Sequence, residues 1–164
     1  MEGILSQTKA EFIRTKEQMA HALATTPDDK LAWSPSPTAR SPLHQVTHAA
    51  MSTSNIQSML SGKHLASSGP VELDAAARLA DQQFTSRQQA IDILEQNSAD
   101  YLAWLDTLTE EQLASKVDMF FGIVPMTVGI TFPALHMSGH VAQMDYIQTI
   151  YGDQDWHIPA QKPE

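Results

Sequence analysis

Residues 127–151 read TVGITFPALHMSGHVAQMDYIQTIY, and the period of this stretch sets the fold class. The spacing predicts a helix from Thr127 to Tyr151, with Gly152 as its C-terminal stop. Leu135, Met137, Val141, Met144, Ile147 and Ile150 spread over much of the circumference, so the expected helix is buried on most sides. Pro133 violates the pattern, since an interior proline costs about 3 kcal/mol. Gly129, four residues earlier, would let the chain bend there; alternatively the helix proper starts at Pro133. From Met119 to Met144 there is no Asp, Glu, Lys or Arg. The same run holds Gly122, Pro125, Gly129 and Pro133 and then His136, His140 and Gln143, a poor composition for lipid contact. It reads as the buried element of a soluble bundle.

Working outward, the first helix is expected from Glu2 to Ala24. Leu5, Thr8, Phe12, Thr15, Met19 and Leu23 draw one stripe down it. Ser41-Pro42 is a cap followed by a first-turn proline, opening a second helix that runs to about Ser61 before Gly62. Residues 63–86 carry a loop at Ser67-Ser68-Gly69-Pro70 and a short helix within Glu72 to Gln82. Ser86 and Gln89 have capping-box spacing, and a third helix follows to about Leu108. Thr109-Glu110-Glu111-Gln112 begins another short turn ending around Leu113, Lys116 to Pro125 is extended, and the chain has too few alternating runs for a real sheet. The expectation is an all-α protein: a four-helix bundle with long connecting loops over residues 1–152, then a C-terminal tail over 153–164.

The chain has 164 residues, 10 basic against 19 acidic, for a net charge of −9, and no cysteine. Such a balance offers no basic face for nucleic acid or an anionic membrane. Without cysteine there is no thiolate ligand or thiol nucleophile, so any thiol chemistry needs a thiol from outside. The first fifteen residues mix charges with apolar side chains, as no secretory signal does, and a cytoplasmic location is the default expectation.

Two of the seven histidines' pairings are i, i+4: His44/His48 and His136/His140. Residues so spaced lie about 40° apart around a helix and one turn along it, which lets two imidazoles reach one ion. Buried histidines without a metal need hydrogen-bond partners instead, and the sequence leaves both readings open for His136 and His140. A third ligand must come from another helix, where His48 lies deeper than the first-turn His44, which reads as a surface residue. His21 is expected at the C-terminal end of the first helix, while His64 and His157 receive no role. Tyr101, Trp104, Tyr146, Trp33 and Trp156 fit either a core or the mouth of a pocket.

The chain resembles the DinB-like (DinB/YfiT) superfamily in three places. These are Leu31-Ala32-Trp33 with Ser41-Pro42-Leu43 and His48, the turn from Leu105 to Leu113, and His136-x-x-x-His140-x-x-Gln143 followed by Tyr146 and Tyr151-Gly152. The resemblance implies one divalent metal held by His48, His136 and His140, with Gln143 beside the site and not a ligand. Zinc is the first ion to name for three imidazoles, with Ni, Fe, Co and Mn as alternatives. It also implies a metal-dependent enzyme of S-transferase or isomerase type, acting on an electrophile with a low-molecular-weight thiol. The other implied function is a non-catalytic, stress-associated binding protein, dimeric and carrying a structural or vestigial metal. No nucleic-acid partner and no membrane association are expected.

Overall fold

The computed structural model describes residues 2–63 and 69–158. His64, Ser67 and Ser68 and the end of the tail lie outside the described residues. Among the described residues, seven α-helices and two strands follow in order. α1 spans Glu2–Thr25, α2 Pro42–Leu60, α3 Pro70–Asp81, α4 Arg87–Leu105 and α5 Glu110–Leu113. Strands β1 (Lys116–Met119) and β2 (Gly122–Pro125) come next, then α6 (Met126–Gly129) and α7 (Phe132–Ile150). The four long helices form the bundle: α1 packs on α7 and α4, and α2 packs on α4 and α7.

The stripe read from α1 is the stripe that is buried: Thr8, Phe12, Thr15, Met19 and Leu23 all lose solvent contact. They meet Val46 and Ala50 of α2, Leu94 and Tyr101 of α4, and Met137 and Met144 of α7 in one core. Caps set the element boundaries as expected. Ser41 accepts from the His44 amide with Pro42 in the first turn, and Ser86 with Gln89 closes a capping box. Gly62 has φ +81, a conformation that lets the chain leave α2 sharply.

Of the two readings of the last helix, the bend around Pro133 does not occur and the start near Pro133 holds: the chain breaks into α6 and α7, and Pro133 sits in the first turn of α7, where its missing N–H costs nothing. Gly129 serves a different purpose, because a Cβ there would meet Leu60 Cδ2 at 2.5 Å. Nor is α7 buried on most sides. Pro133, Ala134, Met137, His140, Met144 and Ile147 face inward, but Leu135 is 68% exposed and Tyr146 69%. The break is tied down by Tyr101, whose buried hydroxyl donates to the Ile130 carbonyl.

Lys116 to Pro125 is more than extended chain: β1 and β2 pair antiparallel through Val117–Val124 and Asp118–Ile123. The third helix ends at Leu105, short of the expected Leu108. The beginning of the tail crosses back over α1, where His21 Nε2 bonds the His157 carbonyl. His21 thus contacts the tail and not the end of its own helix. Among the described residues, no helix is long and apolar enough to cross a membrane.

Helix α3 lies outside the bundle and touches α2. Its anchor is electrostatic. Asp81, 1% exposed, accepts from Arg40 Nε at 2.8 Å and from Thr47 Oγ1 at 3.3 Å, while Arg40 Nη2 reaches Asp74 at 2.9 Å. Removing one member of a buried pair strands the other, whereas an exposed partner is screened by water. Asp81→Ala should therefore cost about 3 kcal/mol in urea unfolding, and Asp74→Ala less than about 1 kcal/mol. Equal costs would show that the buried carboxylate is not the anchor.

Candidate metal centre

The packing of α2 against α7 brings His48, His136 and His140 together. Nitrogens of the three rings all lie within 4.8 Å of one another. His136 Nε2 and His140 Nε2 are 3.2 Å apart, and the His48 ring centre is 5.2 Å and 4.8 Å from those of His136 and His140. Among the described residues, no other such group of His, Asp or Glu converges. His44, one turn earlier on α2, is half-buried and stays outside the cluster.

Each ring is oriented by its surroundings. His140 Nδ1 faces the Gln45 Oε1 at 2.5 Å and the Gln143 Oε1 at 2.8 Å. Two amide oxygens are acceptors, so Nδ1 carries the proton and Nε2 is left as a lone pair aimed at His136. Among the described residues His48 Nδ1 is buried with no hydrogen-bond partner, while its Nε2 lies 3.5 Å from Ser52 Oγ. An orphaned ring nitrogen of this kind costs about 1–3 kcal/mol unless something fills the space beside it.

Burial also fixes the charge state. Desolvation pushes His48 down to about 3, aided by the Arg40 guanidinium and then by the two neighbouring imidazoles. His140 is pushed down to about 4, first by burial and then by His136, against a smaller opposing effect of Gln143. His136 is lowered by burial and Arg40. All three are therefore neutral near pH 7, the form that binds metals.

These residues fit a divalent cation. Two nitrogens bound to one tetrahedral zinc stand about 3.3 Å apart, and the observed 3.2 Å agrees. Three imidazoles without a carboxylate favour borderline transition ions over Ca²⁺ or Mg²⁺, which want oxygen.

The cluster sits at the wall of an open cavity of about 690 Å³ bounded by α2, α3, the β1–β2 turn and the start of α7. A smaller depression of about 530 Å³, which His140 also lines, holds Arg40, Gln45, Gln143 and Tyr146. Of the aromatic residues singled out in the sequence, Tyr101 is core, with Trp104 stacked on it, and Trp156 is 86% exposed. Only Tyr146 borders a recess beside the histidines. The large cavity uses Phe120, Phe121 and Phe132 instead.

Sequence reading missed Gln45, Arg40 and Asp74. Gln45 carried one signal, a polar residue three before His48 on the face of α2 that packs on α7. Nothing local marked Arg40 or Asp74, because their roles arise where α3 folds back.

Comparison with known proteins agrees with this architecture. The model of the DinB superfamily matches residues 11–144. Among curated proteins no sequence matches significantly. Similar solved structures include YfiT from Bacillus subtilis, described as a probable metal-dependent hydrolase with an unusual four-helix bundle topology. It is 15% identical, with a TM-score of 0.70 over 90% of this chain and 87% of its own. A conserved protein from Enterococcus faecalis is 18% identical, with a TM-score of 0.69 over 90% of this chain and 96% of its own. A mycothiol-dependent maleylpyruvate isomerase is 10% identical, with a TM-score of 0.70 over 85% of this chain and 60% of its own.

Two outcomes follow from the geometry. Gln45→Leu removes an acceptor that aims His140 and should weaken zinc binding about 10- to 100-fold, read by competition with a chromogenic chelator; unchanged affinity would mean that Gln45 does not orient the ring. The second concerns pH. Unfolded histidines take up protons near 6.5, whereas folded His140 and His48 resist until about 4 and about 3. The unfolded chain then binds more protons across that window, so stability is intact above about 6.5 and is lost as pH falls through it. Metal-free protein should unfold at clearly lower urea at pH 5 than at pH 7, and His140→Leu should flatten the difference.

Proposed function

This chain belongs to the DinB superfamily, and we propose that it is a metal-dependent enzyme in which His48, His136 and His140 hold one divalent cation beside a small-molecule cavity. The observation that carries this reading is the meeting of three imidazole nitrogens within 4.8 Å, two of them 3.2 Å apart, with His48 Nδ1 buried and partnerless among the described residues. Three protein ligands leave coordination positions for a reactant, as catalytic sites do and closed structural sites do not. A cation bound there would supply the positive charge that lowers the pKa of an incoming thiol and polarises an electrophile.

The protein's own groups prepare that chemistry. Gln45 and Gln143 hold the proton of His140 on Nδ1 and keep its other nitrogen free. Burial and Arg40 keep the three rings neutral, and the cavity beside them is lined mostly by apolar side chains. The reaction class we propose is S-transfer or isomerisation with a low-molecular-weight thiol as the co-reactant. Asp74, the one carboxylate lining the large cavity among the described residues, is held below the usual carboxylate range by Arg78 and Arg40, which makes it a weak base. A nucleophile that arrives as an anion suits such a site better than water needing deprotonation. The absence of cysteine means that the chain cannot supply this thiolate itself. The isomerase similar in fold, described as mycothiol-dependent, supports the same reading. The description of YfiT as a probable metal-dependent hydrolase favours a second one, hydrolysis at the same centre.

The test uses protein purified without an affinity tag or nickel column. About one equivalent of divalent metal per chain is expected by elemental analysis, with loss of that metal in His140→Ala. Electrophiles are then offered with bacterial thiols, and activated esters with water alone. Metal-dependent thiol consumption supports transfer, and metal-dependent ester cleavage without thiol supports hydrolysis. Turnover that survives complete metal removal overturns both. Metal that only shifts the melting temperature, with no turnover in any pairing, assigns a binding role instead.

A further inference from the structure

We propose that the large cavity binds an amphiphilic organic molecule, its polar reacting group at the histidines and its apolar body lying along α2 toward the β1–β2 turn. The inference deepens the enzyme reading above and rests on it for the position of the polar end. One face of α2 sets the polarity of the cavity. His48, Ser52 and Asn55 come first along it, and Ile56 and Met59 follow. Met59 lies eleven residues beyond His48, a rise of about 16 Å along the helix. The wall thus changes from hydrogen-bonding to apolar over the length of a medium-chain acyl group or a two-ring aromatic.

Leu73 and Ala77 of α3, on either side of the charged Asp74, and Met119 of β1 add apolar surface on the other walls. The turn between the strands is Phe120-Phe121, and the positive φ of this hairpin falls on Gly122, so the backbone leaves the two turn side chains free to serve another purpose. Both rings border the cavity while remaining 59% and 57% exposed. Phe121 sits 5.8 Å from the Phe132 ring at the start of α7. The two rings, edge to face at 4.9 Å, provide an aromatic rim for an apolar guest. About 690 Å³ falls within the range of small-molecule sites.

Binding of two probe series to the full chain, zinc-loaded and metal-free, tests this by calorimetry. Hydroxamic acids carry a metal-seeking head on chains of increasing length, and primary alcohols carry no such head. On the zinc-loaded protein, octanohydroxamic acid should bind at least about tenfold tighter than acetohydroxamic acid, since each buried methylene contributes up to about fourfold. Octanol should outbind butanol with or without zinc. Ala77→Phe, which fills the cavity, should erase the chain-length gain and leave acetohydroxamic acid within about twofold. Phe121→Ala, at an exposed turn that tolerates truncation, should lower affinity for the long members severalfold. A length preference seen without zinc, with hydroxamates gaining nothing from it, supports the apolar subsite while defeating the metal reading. Equal binding of short and long members overturns the inference and leaves the metal reading untouched. A length preference that Ala77→Phe does not change also overturns it, as does a Phe121→Ala effect confined to self-association of the chain.

Discussion

Packing α2 against α7 presses three imidazoles together, one buried and two half-buried at the wall of an open cavity, and the rest of the molecule is arranged around the consequence. Rings so placed cannot all be protonated: charge on one opposes charge on the next, and burial disfavours charge on any. The surroundings reinforce neutrality through the Arg40 guanidinium, itself held by the buried carboxylate of Asp81. A neutral cluster with an unpaired ring nitrogen is costly for a protein to keep unless a ligand repays it. Function therefore enters this fold as a tolerated local instability.

The same constraint links the bundle to its outlying parts. Arg40 precedes α2, and by pairing with Asp81 and Asp74 it holds α3 against the mouth of the site. The chain break between α6 and α7, pinned by Tyr101, starts α7 where His136 and His140 can face α2. The β1–β2 turn then closes one end of the cavity. Two arginine-linked carboxylates, one tyrosine and a short hairpin thus convert a helical bundle into a bundle with a recess beside its histidines.

Much of this was legible in the sequence because it is written in local periodicity. The α1 stripe, the Ser41-Pro42 cap, the Ser86–Gln89 box and the Thr109–Gln112 turn depend on neighbours three or four residues apart, and each stands as read. The i, i+4 pair on α7 and His48 on α2 were readable for the same reason, helped by a signature in the last helix. What was not legible depends on the third dimension. Apolar residues around α7 implied burial on most sides, but Leu135 borders an open cavity that no periodicity announces. Gly129 looked like relief for Pro133; it makes room for Leu60, sixty-nine residues away along the chain. Gln45 orients His140 from another helix, and Phe120-Phe121 became meaningful only once the turn was seen beside the histidines.

The central claim is that His48, His136 and His140 share one cation. Anomalous diffraction at the zinc absorption edge, from crystals of tag-free protein soaked with one equivalent of zinc, tests it most directly. The account predicts a single strong peak within bonding distance of a ring nitrogen from each of the three residues. A map with no peak there, or with its strongest peak at His157 and the aspartates of the tail, would contradict it.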